Sequence, residues 1–394
     1  MISLFILGLL LLVILWNMYY AKHWNNNLTV SLNFLQNYVY TGEQAQMTEQ
    51  IENRKRLMLP VLEVSFHIDK KLSFLDCENT NVSDFVYKRD IFALLGNQRV
   101  TRKLTLDCPK RGCYRIEESW LTTFSMLHGR RFSMEAPADT ELYVYAARVD
   151  VSDIVVTCER LMGNIQCAKR LLEDPFAFSS IREYTVTDPM NTINWKASAR
   201  TGELMVNTFE STLTEKVMLY LDVEDAGILK YEYLVEESIC IASSLAQKLI
   251  ARGMEVGICI NAHNIGSRAD ANASHQSDSE VMTIEPAGGK KHLNSIEQML
   301  AKFRGDEKIT PFASVLTTLH ENLHSFTKQP SVALSEDTVL IIISKNTAYC
   351  QAAIEKFVGK KQSAIWVVPF TKGETCNVKT WNNIHLIKRE VERS

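Results

Sequence analysis

Val217-Met218-Leu219-Tyr220-Leu221-Asp222-Val223-Glu224-Asp225 is a run of five apolar residues that ends on an acidic cluster. A short apolar run bounded by polar residues is how a strand covered on both faces reads. Val235, Ile239, Ala242, Leu245 and Leu249 follow at helical spacing, and Arg252-Gly253 ends that helix. Residues 256–260 form a second apolar strand, and residues 261–279, rich in Asn, Ser, Ala and Asp, read as an exposed loop. Residues 293–303 and 312–326 have helical patterns, 339–343 a strand, 352–358 a helix and 365–368 a strand. Strands alternating with helices predict an α/β domain over residues 211–394 with a mainly parallel, doubly wound sheet.

Upstream of it, residues 151–210 read as a connecting segment. An amphipathic helix with Leu161, Ile165, Ala168 and Leu172 on one side leads into Ile181-Arg182-Glu183-Tyr184-Thr185-Val186-Thr187-Asp188-Pro189-Met190-Asn191-Thr192-Ile193-Asn194-Trp195-Lys196-Ala197-Ser198-Ala199-Arg200-Thr201-Gly202-Glu203-Leu204. Charged and aromatic residues are interleaved here in a way that suits neither a plain strand nor a plain helix. Asp188-Pro189 is a turn signal. The mixture suits a networked surface on which Arg and Trp anchor contacts.

This stretch resembles the bacterial domain-of-unknown-function 58 family. That family carries Arg-Glu-Tyr, an Asp in a turn, Ile-Asn-Trp-Lys and Ala-Arg-Thr-Gly, matched here by Arg182, Glu183, Tyr184, Asp188, Ile193, Asn194, Trp195, Lys196, Ala199, Arg200, Thr201 and Gly202. Arg111-Gly112 with Tyr114 resembles the Arg-Gly-x-Tyr of the family's preceding β segment. Two departures stand out. Family members often have a pair of N-terminal membrane helices, and their turn usually reads Pro-Gly-Asp where this chain has Val186-Thr187-Asp188. The resemblance implies a von Willebrand factor A-like domain and a role beside MoxR-type AAA+ ATPases in assembling other complexes. Arg182, Asp188, Trp195 and Arg200 read either as a structural tie between the β segment and the α/β domain or as a partner-binding surface.

In open α/β sheets, ligands sit beyond the carboxyl ends of the strands, which is where Asp222 and Ser344 fall. Von Willebrand A domains hold a divalent cation there with Asp-x-Ser-x-Ser, a distant Thr and a distant Asp, a hard-oxygen set suited to magnesium. This chain has Asp222-Val223-Glu224-Asp225-Ala226, Thr310 for the Thr, and Ser344 at the later acidic position. So many lost ligands favour an acidic loop at a strand end. No cofactor is expected, with weak magnesium binding at Asp222, Glu224 and Thr310 as the alternative. A rival motif is His320-Glu321-Asn322-Leu323-His324, in which two His at i and i+4 grip zinc and Glu321 acts as general base. It lies beside a core stripe of Leu316, Leu319, Leu323 and Phe326. Only Glu336 and Glu355 offer themselves as a third ligand, so the zinc protease is the minor reading.

Toward the N-terminus the apolar period becomes two. Leu28, Val30 and Leu32 alternate with polar residues, as do Leu62, Val64, Phe66 and Ile68; Val100, Leu104 and Leu106, with Arg102 on the same side; and Leu142, Val144 and Ala146. Gly42, Asn53 and Arg111-Gly112 fall where turns are needed. A β-sandwich-like domain over residues 28–150 is expected, with no cluster of catalytic residue types.

Residues 2–16 carry no charge, and Trp16, Tyr19, Tyr20 and Trp24 close the apolar stretch as interfacial aromatics do. There is no basic start and no Ala-x-Ala cleavage site, so residues 1–24 read as an uncleaved, single-pass membrane anchor. Lys22 and Arg54-Lys55-Arg56 follow the stretch and none precedes it, which puts the bulk of the chain in the cytoplasm. Nine scattered cysteines without a Cys-x-x-Cys agree with a reducing compartment. The chain of 394 residues has a net charge of −3, which speaks against nucleic acid as a partner. It has no P-loop, so any ATP would be hydrolysed by a partner.

Overall fold

The computed structural model describes residues 2–75, 80–82, 85–125, 130–169, 178–186, 188–209, 215–225, 230–263, 281–305, 308–324, 338–345, 347–359, 363–373, 378 and 383–392. The chain divides into two compact units. One is Met1–Arg148 with Glu297–Arg304; the other is Val149–Ile296 with Gly305–Ser394.

The first unit begins with helix α1 (Ile2–His23), followed by β1 (Leu28–Phe34), β2 (Tyr38–Tyr40), β3 (Gln44–Asn53), β4 (Leu59–Asp69), β5 (Ser73–Phe74), β6 (Thr80–Val82), β7 (Phe85–Leu94), β8 (Gln98–Asp107), β9 (Gly112–Phe124) and β10 (Arg131–Tyr145). Four strands in the order β1-β3-β8-β5 make one sheet, and six in the order β2-β10-β9-β4-β7-β6 make the other. The predicted alternation sets their register. Leu62, Val64, Phe66 and Ile68 are all buried along β4, as are Leu104 and Leu106 on β8 and Leu142 and Val144 on β10. Burying each such side chain contributes about 1.5–3 kcal/mol. Asn53, expected to sit in a turn, is the buried last residue of β3, and the turn follows it.

Among these strands lies a buried charge group. Glu49, Lys88 and Asp90 are fully buried; Lys88 approaches Asp90 at 3.7 Å and Arg102 approaches it at 2.8 Å. Burial, and then the neighbouring Asp90 charge, push the Glu49 carboxyl up to about 8.

Helix α1 is apolar over Leu4–His23, long enough to cross a membrane, a property that an anchor shares with a signal sequence. Its last turns belong to the β core. Tyr20 and Trp24 are buried, the Tyr20 hydroxyl lies 3.0 Å from the Thr123 hydroxyl, and the Ser125 hydroxyl donates to Asn17 Oδ1. Leu4 to Leu12 stay largely exposed.

The second unit begins with α2 (Ser152–Lys169), then β11 (Phe178–Glu183), α3 (Trp195–Thr201) and β12 (Met205–Phe209). Next come β13 (Lys216–Leu221), α4 (Glu232–Ala251), β14 (Glu255–His263), β15 (Val281–Ala287), α5 (Lys290–Lys302, whose residues from Glu297 on belong to the first unit), α6 (Phe312–His324), β16 (Thr338–Ile343), α7 (Thr347–Val358), β17 (Ala364–Thr371) and β18 (Ile384–Val391). Six strands form one sheet in the order β15-β14-β13-β16-β17-β18. All neighbours are parallel except β14 and β15. Every residue of 217–221 and 338–343 is buried, as the continuous apolar runs require.

Two predictions are corrected here. Asn261 does not open an exposed loop; it lies within β14 and is fully buried, because its side chain is bound at the strand ends described below. Helix α5 begins at Lys290, three residues before the helical pattern expected from residue 293. The edge strands β15 and β18 also went unread, since their mixed polar and apolar sequence reflects an edge rather than a covered strand.

Candidate functional site

Two constellations concentrate the predicted residues, both in the second unit. The first is the signature stretch, which folds as a β-hairpin with a helical insert. β11 and β12 pair antiparallel, with Glu183 opposite Met205 and Ile181 opposite Asn207. Between them the chain turns at Thr185–Asp188, makes a 3-10 turn over Met190–Thr192 and enters α3.

Short-range bonds fix each step. Arg182 grips Asp188 with two parallel bonds of 2.7 and 2.6 Å, the bidentate geometry that guanidinium and carboxylate favour. Asp188 also accepts from the Thr185 amide and hydroxyl, both at 2.8 Å. These donors, Arg182 first, hold the Asp188 carboxyl well below the usual carboxylate range. Asn194 caps α3 by accepting from the Ala197 amide at 3.0 Å, and its own amide donates to Asn207 Oδ1 at 2.7 Å. The Ser198 hydroxyl accepts from the Met205 amide at 2.9 Å and ties the helix to β12. Gly202 ends α3 at φ 83°, a left-handed conformation that glycine adopts without strain.

With the polar groups turned inward on the backbone, the remaining signature side chains face outward. Trp195 is 68% exposed, Met190 72% and Val186 94%. Glu183, Lys196 and Arg200 are also exposed, and Tyr184 is half-buried. Trp195 rarely stands so open on a stable fold, since aromatic side chains gain most when covered.

The second constellation lies where β13 and β16 end, the point at which the strand order reverses. Asp222, Asn261 and Ser344 are each at most 1% exposed. Asp222 accepts from the Ser344 hydroxyl at 2.6 Å, the Glu224 amide at 2.9 Å and the Asn261 side chain at 3.1 Å. Asn261 also accepts from the Val223 amide at 2.8 Å and donates to the Thr310 carbonyl at 3.1 Å. The Thr310 hydroxyl lies 2.6 Å from His263 Nε2. Glu224 accepts from the Phe312 amide at 3.0 Å, so its charge sits at the positive end of α6. Asp225 accepts from the Tyr231 amide at 2.7 Å and pairs with the Lys345 ammonium, which is nearly buried and lies 5.7 Å from the Tyr231 ring. Burial, together with the Asp222 charge, pushes the neighbouring Cys350 thiol up to about 12.

The structure thus brings Asp222, Glu224, Thr310 and Ser344 together at one edge, as the strand order implies. Their oxygens are engaged by the protein's own donors, and a lysine supplies the positive charge. Among the described residues no group of three His, Cys, Asp or Glu is arranged to hold a metal. His320 and Glu321 lie on α6, whose Phe312, Val315 and Leu316 pack into the core. The His324 side chain and Glu336 lie outside the described residues, and Glu355 is exposed on α7. Sequence reasoning missed Asn261, Asn207, Ser198 and Lys345. Only Lys345, a charge two residues after a buried strand, carried a signal that could have been read.

In the first unit, Arg111 donates to the main-chain carbonyls of Leu300 and, at 2.9 Å, Phe303, so the Arg-Gly-x-Tyr arginine binds a helix carboxyl end. The Tyr114 hydroxyl donates to the Lys110 carbonyl at 2.8 Å and closes that turn.

Residues 180–323 match the model of the family described as Protein of unknown function DUF58. The DUF58 match takes in the signature hairpin, Asp222, Asn261 and Thr310. No curated protein matches this chain. Among solved structures, the CARDB domain of a Pyrococcus furiosus protein is similar at 14% identity and TM-score 0.20, over 29% of this chain and 93% of that one. A non-cellulosomal cohesin from Archaeoglobus fulgidus is similar at 10% identity and TM-score 0.22, over 33% and 97%. A type I cohesin–dockerin complex from Clostridium thermocellum gives 12% identity and TM-score 0.21, over 29% and 99%.

Proposed function

We propose that this chain is a membrane-anchored, non-enzymatic interaction factor that uses the DUF58 hairpin to dock a protein partner. The observation that carries the reading is Trp195. A hairpin held by at least six local hydrogen bonds holds out a tryptophan beside Met190, Lys196 and Arg200. Exposed Trp and Arg on a rigid frame are the usual anchors of protein interfaces, because little entropy is lost when they are covered. The resemblance of the signature makes a MoxR-type AAA+ ATPase the expected partner, and the ATPase supplies the nucleotide chemistry.

The anchor reading of α1 is supported by the burial of Tyr20 and Trp24 in the β core, since loss of this segment would uncover that core. The scattered cysteine spacing without a Cys-x-x-Cys and the basic residues after α1 support a cytoplasmic bulk.

The test is binding of a purified MoxR-type ATPase to the full chain in nanodiscs, with and without ATP. Binding that weakens about 30-fold or more in Trp195→Ala supports the reading. Binding that Trp195→Ala and Arg200→Ala leave intact overturns it.

A further inference from the structure

The first unit has an apolar groove of about 830 Å3 between α1 and the β3–β4 loop, lined by Leu12, Leu15 and Trp16 on one side and by Arg56, Leu57 and Met58 on the other. Its position along the helix is informative. Tyr20 is buried in the β core, and Leu12 lies eight residues earlier, roughly 12 Å along the axis at 1.5 Å per residue. The loop therefore reaches back alongside the apolar part of the anchor, into the depth that headgroups and upper acyl chains would occupy.

The loop is built rigidly. The buried Asn53 side chain donates to the Leu57 carbonyl at 2.9 Å and the Leu95 carbonyl at 3.0 Å, and the Asn97 amide donates to the Lys55 carbonyl at 3.0 Å. Gly96 packs so closely that an added Cβ would meet the Arg56 carbonyl oxygen at 2.5 Å. The frame presents two kinds of group. Met58 and Leu95 are half or more exposed although apolar, and Arg56 is exposed. The Lys55 ammonium is buried with no hydrogen-bond partner among the described residues, and burial lowers it to about 8. Arg54 is different, being paired with Glu52 at 2.9 Å. Lys55 is not part of the groove lining, so the exposed Arg56 is the basic group that stands beside the apolar wall, an arrangement that matches a phosphate above hydrocarbon.

We propose that the groove between α1 and the Arg54–Met58 loop binds an anionic phospholipid, with the phosphate against Arg56 and an acyl chain along Leu12, Leu15 and Met58. The site rests on the anchor reading of α1. A lipid is the occupant the geometry favours, because the wall formed by Leu12 and Leu15 continues into the exposed apolar surface of Leu4–Leu11 that the bilayer would cover.

The experiment uses the full chain in nanodiscs of equal phosphatidylcholine and phosphatidylglycerol. Retained lipid is measured by native mass spectrometry, and carbonate extraction is run in parallel. Wild type should retain phosphatidylglycerol in preference, and the preference should fall about fivefold with Arg56→Gln and stay unchanged with Lys55→Gln, whose ammonium is buried outside the groove lining. Carbonate resistance should not change in either variant. Gly96→Ala, which displaces the loop without touching a charge, should lower retention as well. Equal retention of the two lipids by wild type, or retention indifferent to Arg56→Gln, overturns the site while leaving the anchor intact. Extraction of wild type by carbonate overturns the anchor reading and the lipid site with it.

Discussion

The signature hairpin and the Asp222 edge use similar side chains for opposite ends. Each centres on an aspartate that accepts several hydrogen bonds, and each has an asparagine bridging two segments. At the Asp222 edge the whole network is buried, and neighbouring charges are met by Lys345 and the amino end of α6. In the hairpin the bonds shape the backbone, while Trp195, Met190 and Arg200 are left outside. The difference teaches that a motif rich in polar residues has to be read by where its hydrogen bonds end. Bonds that close strand ends stabilise the domain, and bonds that close only turns present a surface.

The largest effect that can sharpen this contrast is at Asp222. Asp222→Ala leaves the Ser344 hydroxyl, the Glu224 amide and the Asn261 amide short of an acceptor, and should cost about 3 kcal/mol in urea unfolding of the second unit. Magnesium should restore none of it. Recovery on adding magnesium would return the edge to a cation-binding role.

A second test uses the buried group of the first unit as a control. Glu49 is raised to about 8 in the folded chain from an ordinary 4.5. The folded state therefore keeps a proton that the unfolded chain has released. Stability from this group is greatest below pH 4.5 and is lost as pH rises toward 8, at no more than about 1.4 kcal/mol per pH unit. Unfolding midpoints of the first unit should fall across that window, and Glu49→Gln should flatten the slope. An equally steep slope in the variant would assign the titration to another group.

A smaller effect is expected at Arg182. Arg182→Ala releases Asp188 and loosens the Thr185–Asp188 turn, so amide exchange should quicken there while the global transition stays in place. Because Asp188 is held below the usual carboxylate range, the turn should persist at neutral pH and loosen only in acid as Asp188 protonates. Slower exchange in the variant would separate the turn from this ion pair.

Much of the fold was legible. The apolar runs at 217–221 and 339–343 could only be covered strands, and the period-two segments placed the core of the sandwich. Edge strands were not legible, because β15 and β18 face solvent and their sequences obey no single period. In the signature, the residues were visible but their division of labour was not. Nothing local distinguishes Asn194, which caps a helix, from Trp195, which touches little. Asn261 was misread because its polar neighbours downstream mark a loop, whereas its own side chain is consumed by partners 38 and 49 residues away.

The most direct test sets the two regions side by side in urea unfolding of the full chain, Trp195→Ala against Asn261→Ala. Trp195→Ala should stay within about 0.5 kcal/mol of wild type while Asn261→Ala loses about 2–3 kcal/mol. Comparable losses in both would contradict this, because the hairpin would then be part of the core rather than a surface held out for a partner.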